Sequence, residues 1–244
     1  MDGLLQDLQK RIAGEVRFDA FSRMLYSTDA SIYQIEPIGV VIPRHADDVV
    51  ATVEVARQHG VPVLPRGGGT GLAGQTVGRA IIIDMSNYMH QILELNTEEH
   101  WAWVQPGVVQ DQFNAYLRPH GLLFGPDTST SSRATIGGMI GNNSAGARSI
   151  LYGKTIDHVL EVQVVLSDGS TAHLQPLDRG LCEQKRRGQT LEAQIYREVA
   201  RIAHDNREAI LERYPKILRR VSGYNLDEFI GDGPFNLAKN SSRL

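Results

Sequence analysis

The sequence predicts an α+β protein made of two α/β subdomains, a small one with parallel strands and a larger one with antiparallel strands. Before about residue 90, the pattern runs strand, helix, strand, glycine-rich loop, strand, which is typical of a small parallel unit. After that point, apolar runs follow one another across short polar turns, which indicates antiparallel pairing. The 244 residues, 41% of them apolar, suffice for one large folded domain or two small ones.

The first 90 residues are predicted to hold a helical lead-in and the parallel subdomain. Apolar residues repeat at helical spacing from 4 to 12, so we expect a short amphipathic helix within the lead-in at residues 1–34. The first subdomain, at residues 35–90, contains three apolar runs typical of strands and one helical pattern that stops before Gly60. The strands are expected at residues 39–43, 61–64 and 80–84, and the helix at residues 47–59.

The second subdomain is expected at residues 91–239, followed by an atypical polar tail at residues 240–244. Its strands are expected at residues 91–95, 101–105, 158–166 and 171–174, and a helix at residues 108–120. Residues 178–220 form a charged helical insertion, for which a solvated helix face is favoured over a partner-binding patch.

Charge and cysteine content exclude several classes of function. Lys and Arg number 25 against 28 Asp and Glu, so the net charge of −3 gives no basic footprint for a nucleic acid. The single cysteine, Cys182, excludes an internal disulfide framework and a cysteine-ligated zinc or iron–sulfur site within this chain. The histidines are scattered without metal-ligand spacing, so no metal site is expected. No targeting segment or membrane span is predicted, and we expect a cytoplasmic protein, with peripheral attachment to the inner membrane left open.

A glycine-rich loop at residues 65–74 is the densest signal in the sequence. It follows one predicted strand and precedes another, and four of its glycines lie within five residues. Consecutive residues without side chains let backbone N–H groups converge into a nest that binds phosphate oxygens. The alternative is a flexible or tight-turn loop, and the pattern favours the anion site.

Two familiar nucleotide motifs match the letters but not the context. Residues 69–74 satisfy G-x-G-x-x-G, yet residues 75–79 are too few for the crossover helix that a Rossmann fold requires. Residues 153–155 resemble the end of a P-loop, but the position for its leading glycine is Arg148. Both interpretations are therefore rejected.

A second glycine cluster, at residues 135–146, is predicted to form a short apolar helix with a small surface and short polar residues at its end. Ahead of it, residues 125–130 form a turn-forming loop rich in hydroxyl groups. Two nests in different subdomains, each beside a strand, indicate a long ligand that spans both. A dinucleotide with a pyrophosphate fits that description.

Taken in this order, with a 104–107 turn and a Tyr–Gly pair at 152–153, these motifs resemble the FAD-binding domain of the vanillyl-alcohol oxidase/p-cresol methylhydroxylase superfamily. They are most similar to its branch of D-lactate, glycolate and D-2-hydroxyglutarate dehydrogenases. The resemblance runs from about residue 20 to 239. Residues 222–226 are similar to the large bacterial members of that branch that are fused to an iron–sulfur region.

The resemblance implies a PCMH-type FAD-binding fold and hydride transfer from C2 of a D-2-hydroxy acid to flavin N5, giving a 2-oxo acid. Backbone groups of the first loop would hold the FAD pyrophosphate, and the later segments would line the adenosine and flavin portions. The residues so implied are Arg66, Gly67, Gly68, Gly69, Thr70, Gly71, Leu72, Pro126, Asp127, Thr128, Thr130, Gly137, Gly138, Gly141, Asn142, Ser144, Ala145, Gly146, Tyr152, Gly153, Asp157 and Val159.

The FAD is expected to be non-covalent. Some superfamily members attach flavin through a histidine of the first loop or a nearby cysteine, whereas this loop has Thr70 and Cys182 lies outside every motif. His120 is expected at a helix end and His158 in a strand rather than as flavin links. Gly68→Val is expected to abolish FAD retention while leaving the fold intact.

The resemblance also implies parts that this sequence does not contain. The family continues into a third flavin-contacting segment and a cap domain that binds the 2-hydroxy acid, so the chain is expected to be truncated before its cap. No catalytic residue is assigned, and an electron-accepting partner or iron–sulfur region would lie outside this chain. The alternatives are a non-catalytic fragment of the fold and a flavin reductase of the peptidoglycan-precursor type, which would also need a further domain.

Overall fold

The structure is a computed structural model that describes residues 2–217, 223–231 and 233–239. Its contacts divide the chain into two units. Unit 1 holds the described residues of Met1–Phe124, Thr128–Met139 and Ser167–Gly169, and unit 2 those of Gly125–Asp127, Ile140–Leu166 and Ser170–Leu244. The predicted tail at residues 240–244 and part of the predicted insertion, residues 218–220, lie outside the described residues.

Unit 1 is built on a four-stranded sheet with two helices on one face. Its elements are α1 (Asp2–Arg11), β1 (Glu15–Arg17), α2 (Ala20–Leu25), β2 (Gly39–Ile42), α3 (Ala46–Gln58), β3 (Val63–Arg66), β4 (Ile81–Asp84), β5 (Ile92–Asn96), β6 (Trp101–Val104) and α4 (Gln110–Leu117). The sheet order is β1-β2-β4-β3, in which β2, β4 and β3 are parallel and β1 is antiparallel at the edge. The predicted parallel unit is therefore confirmed, and β1 is an addition to it.

The faces of this sheet explain the apolar runs that predicted it. Val41 and Ile81 point to the face covered by α1 and α3, where Leu8 and Val55 are completely buried. Their sequence neighbours Val40, Ile42 and Ile82 point to the opposite face, as the alternation of side chains along a strand requires. Both faces are buried, so β2 and β4 are apolar throughout.

A buried carboxylate joins the edge strand to α3. Asp48 is 1% exposed, and its two oxygens accept hydrogen bonds from the backbone N–H groups of Ala13, Gly14 and Arg44 at 2.8–3.0 Å. Buried backbone donors need such partners, so Asp48 fixes where the chain enters β1 and α3.

Two further predicted elements of unit 1 are present. Strands β5 and β6 pair as an antiparallel hairpin, and α4 continues as a 3₁₀ turn over Arg118–His120 that ends at Gly121. The boundary expected near residue 90 lies inside unit 1, because backbone bonds such as Gly107 N–H to the Met89 carbonyl tie this region to the parallel sheet.

Unit 2 packs two of its helices and a short hairpin around one core. A short helix, α5 (Ile136–Asn142), leads from unit 1 into unit 2. The elements that follow are α6 (Ser149–Tyr152), α7 (Thr155–His158), β7 (Val162–Val165), β8 (Thr171–Leu174), α8 (Arg179–Arg186), α9 (Leu191–Asp205) and α10 (Arg207–Arg213), with 3₁₀ turns at Leu226–Phe229 and Leu237–Lys239. Tyr196, Leu174 and Cys182 are buried in the core with Leu237.

The strand expected at residues 158–166 begins four residues later than predicted. His158 ends α7 instead of lying in a strand, because the Asp157 side chain accepts a hydrogen bond from the Lys154 N–H and so starts a helical turn here. Within the described ranges, no helix is long and apolar enough to cross a membrane.

Candidate functional site

The glycine-rich loop leaves a run of backbone donors available. It follows β3, and from Gly67 to Leu72 no backbone N–H donates a hydrogen bond to any residue that the structure describes. Gly69 has a φ of +63°, a conformation that favours glycine, and its carbonyl accepts a hydrogen bond from the Ala30 N–H at 3.0 Å. Consecutive free donors in a turn of this kind form an anion nest.

The side chain of Arg66 fixes the loop instead of reaching outward. Its guanidinium donates to the carbonyls of Tyr26, Thr28 and Thr76, at 3.2, 2.8 and 3.4 Å, and lies over the Tyr26 ring. The loop is therefore held to the segments on either side of it. We infer that the contribution of Arg66 to an anion comes mainly from its charge and backbone, since three of its five side-chain donors already bond to carbonyls of the protein.

Beneath Arg66, a tyrosine–carboxylate pair closes the carboxyl end of the sheet. The Tyr26 hydroxyl donates to Asp84 at 2.6 Å, and Asp84, which is 5% exposed, also accepts from the N–H and hydroxyl of Ser86. Burial, with the bond to Asp84 adding to it, raises the pKa of Tyr26 far above its ordinary value. Tyr26 therefore remains a neutral donor, and Asp84 is fully engaged as an acceptor.

The first two glycines of the loop are required by the protein's own backbone and side chains. A Cβ on Gly67 would lie 2.1 Å from the Thr135 hydroxyl oxygen, and a Cβ on Gly68 would lie 2.3 Å from the Arg133 carbonyl oxygen. The loop thus lies directly against the segment that enters α5. This contact changes the expectation for Gly68→Val, because the substitution would displace the local backbone as well as any ligand.

The hydroxyl-rich segment of unit 1 lies beside this contact. The Thr128 hydroxyl donates to Gln110 at 2.5 Å, and the Thr130 carbonyl accepts from the N–H groups of Arg133 and Ala134. A Cβ on Gly137 would lie 2.6 Å from Pro106, so that glycine also serves internal packing. Gly138 donates its N–H to the Thr135 hydroxyl at 3.3 Å.

In unit 2, packing against the described residues does not require a glycine at position 141. It lies within the helix α5, is exposed, and a Cβ there would meet nothing within 4 Å. Glycine inside a helix costs about 1 kcal/mol relative to alanine, and this glycine leaves space on the α5 surface that the described residues do not fill.

The polar end of α5 is organised by Asn143, which the sequence interpretation included among the short polar residues of this segment without assigning it a role. Asn143 is 3% exposed with a φ of +44°, and its side-chain oxygen accepts from the Ile156 N–H at 3.0 Å. Next to it, the Ser144 carbonyl accepts from both the N–H and the hydroxyl of Thr155. Asparagine tolerates left-handed backbone, and that preference was the available signal. Asn142 is exposed, and its amide contacts the Ser144 hydroxyl at 3.3 Å.

Among the remaining predicted residues of unit 2, some make contacts with nearby side chains, and the others lie in turns, loops or the core. Asp127 pairs with Arg148 at 3.4 Å, and His158 Nε2 contacts the Tyr152 carbonyl at 2.6 Å. Gly153 has a φ of +80° beside the Asp157 carboxylate, and Val159 is buried. Pro126, Ala145 and Gly146 lie in the connecting loops, where the Gly146 N–H donates to Ser149. The covered part of the chain holds no group of three or more potential metal ligands.

Comparisons with known proteins identify the family to which the chain belongs. Residues 37–175 match the family described as FAD binding domain. The chain is 43% identical over 222 residues to D-2-hydroxyglutarate dehydrogenase of Pantoea ananatis, and 42% identical over 232 residues to that of Escherichia coli. It is 37% identical over 163 residues, 65% of this chain and 35% of the relative, to glycolate oxidase subunit GlcD of Bacillus subtilis.

The chain is much shorter than these relatives. The two D-2-hydroxyglutarate dehydrogenase matches cover 90% and 93% of this chain but 22% and 23% of the relatives. Among solved structures, alkyldihydroxyacetonephosphate synthase matches with a TM-score of 0.65 at 22% identity, over 72% of this chain and 35% of that one. p-Cresol methylhydroxylase with substrate bound matches with a TM-score of 0.59 at 18% identity, over 71% and 35%. At these identities the structures show a shared fold.

Proposed function

The chain belongs to the FAD binding domain family, and from this premise we propose that it is the FAD-binding portion of a flavoprotein dehydrogenase that oxidises a D-2-hydroxy acid to the 2-oxo acid. The PCMH-type fold predicted from the sequence is confirmed by the structural likeness. The proposed substrate class rests on relatives named as D-2-hydroxyglutarate dehydrogenase, glycolate oxidase subunit and D-lactate dehydrogenase.

The observation that carries the proposal is the run of N–H groups from Gly67 to Leu72 that have no acceptor among the described residues, on a loop that Arg66 holds in place. Free donors in a preformed turn suit the pyrophosphate of FAD, since they need no rearrangement and no charge neutralisation by side chains. The unpacked Gly141 provides a second place where a flat group can approach the backbone. The residues present therefore fit the cofactor.

When bound, the flavin would supply the redox chemistry for hydride transfer from C2 of the hydroxy acid. The described residues would bind and orient it. The loop amides hold the phosphates, Arg66 adds positive potential behind them, and α5 presents its glycine surface. The substrate would be held by a cap domain, and the electrons would pass to an acceptor or iron–sulfur region, both outside this chain. We place the complete enzyme in the cytoplasm or at the inner membrane surface, which fractionation of cells that produce it would test.

The test is the cofactor content of the purified chain. We expect a flavin absorption spectrum, or reconstitution with micromolar FAD, and full release of the flavin into the supernatant after acid precipitation, since attachment is proposed to be non-covalent. A colourless chain that binds no FAD would favour the non-catalytic fragment. The full-length enzyme should be bleached by D-2-hydroxyglutarate, D-lactate or glycolate, whereas bleaching by NADPH alone would favour the flavin reductase.

A further inference from the structure

Unit 2 contains a cavity that lies outside the segments proposed to bind FAD. It is formed by the end of α8, one face of α9, the start of α10 and the side chains of Phe229, Ile230 and Phe235. Its volume is about 680 Å³, within the range of pockets that hold small organic molecules. We call it the arginine cavity, because its rim consists of Arg186, Arg197, Arg201 and Arg207 with His204.

The floor of the arginine cavity is apolar. Ala200 and Ala203 of α9 face Phe229, Ile230 and Phe235 across it. An apolar floor with a cationic rim distinguishes this cavity from the solvated face predicted for the charged insertion, in which side chains would simply extend into water. The same features are typical of a site for an organic anion, where the floor contacts the body of the ligand and the rim contacts its charges.

The rim carries positive charge that the residues described in the structure do not neutralise. Arg197 donates to the carbonyl oxygens of Arg186 and Gly188, at 2.5 and 2.6 Å, and Arg207 donates to the Ile230 carbonyl at 3.0 Å. These contacts orient the two guanidinium groups without cancelling their charge. Neither group has a carboxylate within 4.0 Å in the described part of the chain. Oriented, uncompensated guanidinium groups are preferred partners of carboxylates and phosphates.

The other two arginines of the rim form ion pairs with carboxylates, so they contribute less to the positive potential in the cavity. Arg201 contacts Glu198 at 2.8 Å and Asp205 at 3.1 Å, and Arg186 contacts Glu183 at 2.8 Å. Asp205 is the one carboxylate in the cavity lining, and Arg201 and His204 both contact it. Arg201 is shared between Glu198 and Asp205, so one negative charge stands against the two positive charges of Arg197 and Arg207, and the potential in the cavity is positive.

We propose that the arginine cavity binds a small organic polyanion, with two or more carboxylate or phosphate groups on a compact apolar body. The charged groups contact Arg197 and Arg207, and the apolar body lies on Phe229, Ile230 and Phe235. All of these residues belong to unit 2, so the site does not depend on the proposed FAD function. It gives the charged insertion a binding role that is separate from the cofactor loop.

The experiment uses isothermal titration calorimetry with benzene-1,3,5-tricarboxylate, whose ring and three carboxylates match the floor and the rim. The titration is run with and without excess FAD, and binding that FAD does not displace is assigned to the cavity rather than to the glycine-rich loop. We expect saturable binding that weakens as NaCl is raised, since surface charge interactions are screened by salt. Citrate, which has the charges without the ring, should bind more weakly.

Variants then locate the site. Arg197→Gln combined with Arg207→Gln should weaken binding about tenfold or more, whereas Arg213→Gln, a matched change on α10 outside the cavity lining, should leave it unchanged. Because Arg197 also supports the end of α8, Ala200→Glu serves as a second variant that adds a repulsive carboxylate to the cavity lining, with a residue that a helix accommodates at little cost. Circular dichroism checks that each variant is folded.

Three results would overturn the proposal. The first is that the probe does not bind at concentrations of about 1 mM, which corresponds to only about 4 kcal/mol of binding free energy. The second is an equal loss in Arg213→Gln, which would indicate diffuse attraction to the whole surface. The third is unchanged affinity in both Ala200→Glu and the double variant.

Discussion

At the scale of single residues, glycines that look equivalent in the sequence are required for different reasons in the structure. Gly67 and Gly68 are fixed by contact with Thr135 and Arg133, and Gly69 by its backbone conformation. Gly141 alone among the glycines of the α5 helix leaves open space beside it. The sequence makes all of these glycines candidates for ligand contact. Only the structure distinguishes a glycine that internal packing requires from one that leaves room for a ligand.

That distinction makes Gly141→Leu a cleaner test of cofactor binding than a change in the loop. We expect the FAD dissociation constant to rise at least tenfold, because the side chain would fill the surface that the cofactor approaches. The free energy of unfolding without FAD should stay constant or rise by about 1 kcal/mol, since leucine favours a helix more than glycine does. Flavin fluorescence titration and urea unfolding measure the two quantities.

Gly231→Leu is the control, since Gly231 is also exposed and a Cβ there also meets nothing within 4 Å. It should leave FAD affinity unchanged. Equal affinity of Gly141→Leu and the parent chain would show that FAD does not approach α5.

Tyr196 provides a second test at this scale. Its hydroxyl is buried and has no hydrogen-bond partner among the described residues, and burial raises its pKa to about 12. The neutral form is favoured in the fold, so its contribution to stability is complete below pH 10 and is lost as the pH rises toward 12. Tyr196→Phe should remove the unsatisfied hydroxyl and raise the free energy of unfolding at pH 7 by about 1 kcal/mol.

Urea unfolding at pH 7 and at several values above pH 10 measures both effects. The parent chain should lose stability with pH more steeply than Tyr196→Phe. A destabilised Tyr196→Phe at pH 7 would mean that the hydroxyl has a partner in solution, such as a buried water molecule.

At the scale of elements, apolar runs and helical periodicity were predictable from the sequence, whereas elements that depend on strand pairing or on side-chain hydrogen bonds were not. The helix predicted at residues 47–59 begins and ends one residue later than α3. The strand predicted at residues 80–84 begins one residue before β4 and ends with it. The three-residue β1 was missed because its strand identity comes from pairing with β2 and from Asp48, which a local pattern does not reveal. The late start of β7 has the same origin, in a side-chain bond that favours a helical turn.

The candidate site was predictable to a similar extent. The glycine loop and the α5 segment were located from their letters, because phosphate nests and short glycine helices have strong local signatures. The anchoring contacts were not, since Arg66 reaches carbonyls at positions 26, 28 and 76 that are distant in sequence. Whether each predicted residue contacts FAD stays a prediction.

Helix capping offers a prediction that belongs to this scale. The Thr190 hydroxyl accepts a hydrogen bond from the Ala193 N–H at 3.2 Å and so begins α9, which carries most of the rim of the arginine cavity. Thr190→Ala should lower the free energy of unfolding by about 1 kcal/mol, whereas Thr190→Ser should retain the cap and most of the stability. Thermal unfolding followed by circular dichroism measures both, and equal loss in the two variants would contradict a capping role.

At the scale of the whole molecule, the family relation and the loop together predict how the chain responds to flavins. A ligand that binds the folded state alone stabilises it, by about 2.7 kcal/mol at a concentration of 100 times its dissociation constant. FAD should therefore raise the unfolding temperature clearly. Riboflavin, which lacks phosphate, should have a much smaller effect at equal concentration, because it cannot use the amides of Gly67 to Leu72.

Differential scanning fluorimetry with both compounds makes the comparison. A parallel series with FMN under the same conditions tests a flavin that has one phosphate but no pyrophosphate. Equal stabilisation by riboflavin and FAD would show that binding energy comes from the flavin ring, and that the loop is not the phosphate site.

The support of Gly67 and Gly68 by Arg133 and Thr135 has a consequence for synthesis of the protein. The loop leaves the ribosome well before the residues that lie against it, and elongation at about 5–20 residues per second implies an interval of roughly 3–13 s. During that time the parallel strands can pair, but the loop lacks the backbone that fixes its shape. A nascent chain is therefore expected to acquire affinity for FAD late, once the segment up to Met139 has emerged, instead of when the loop itself appears.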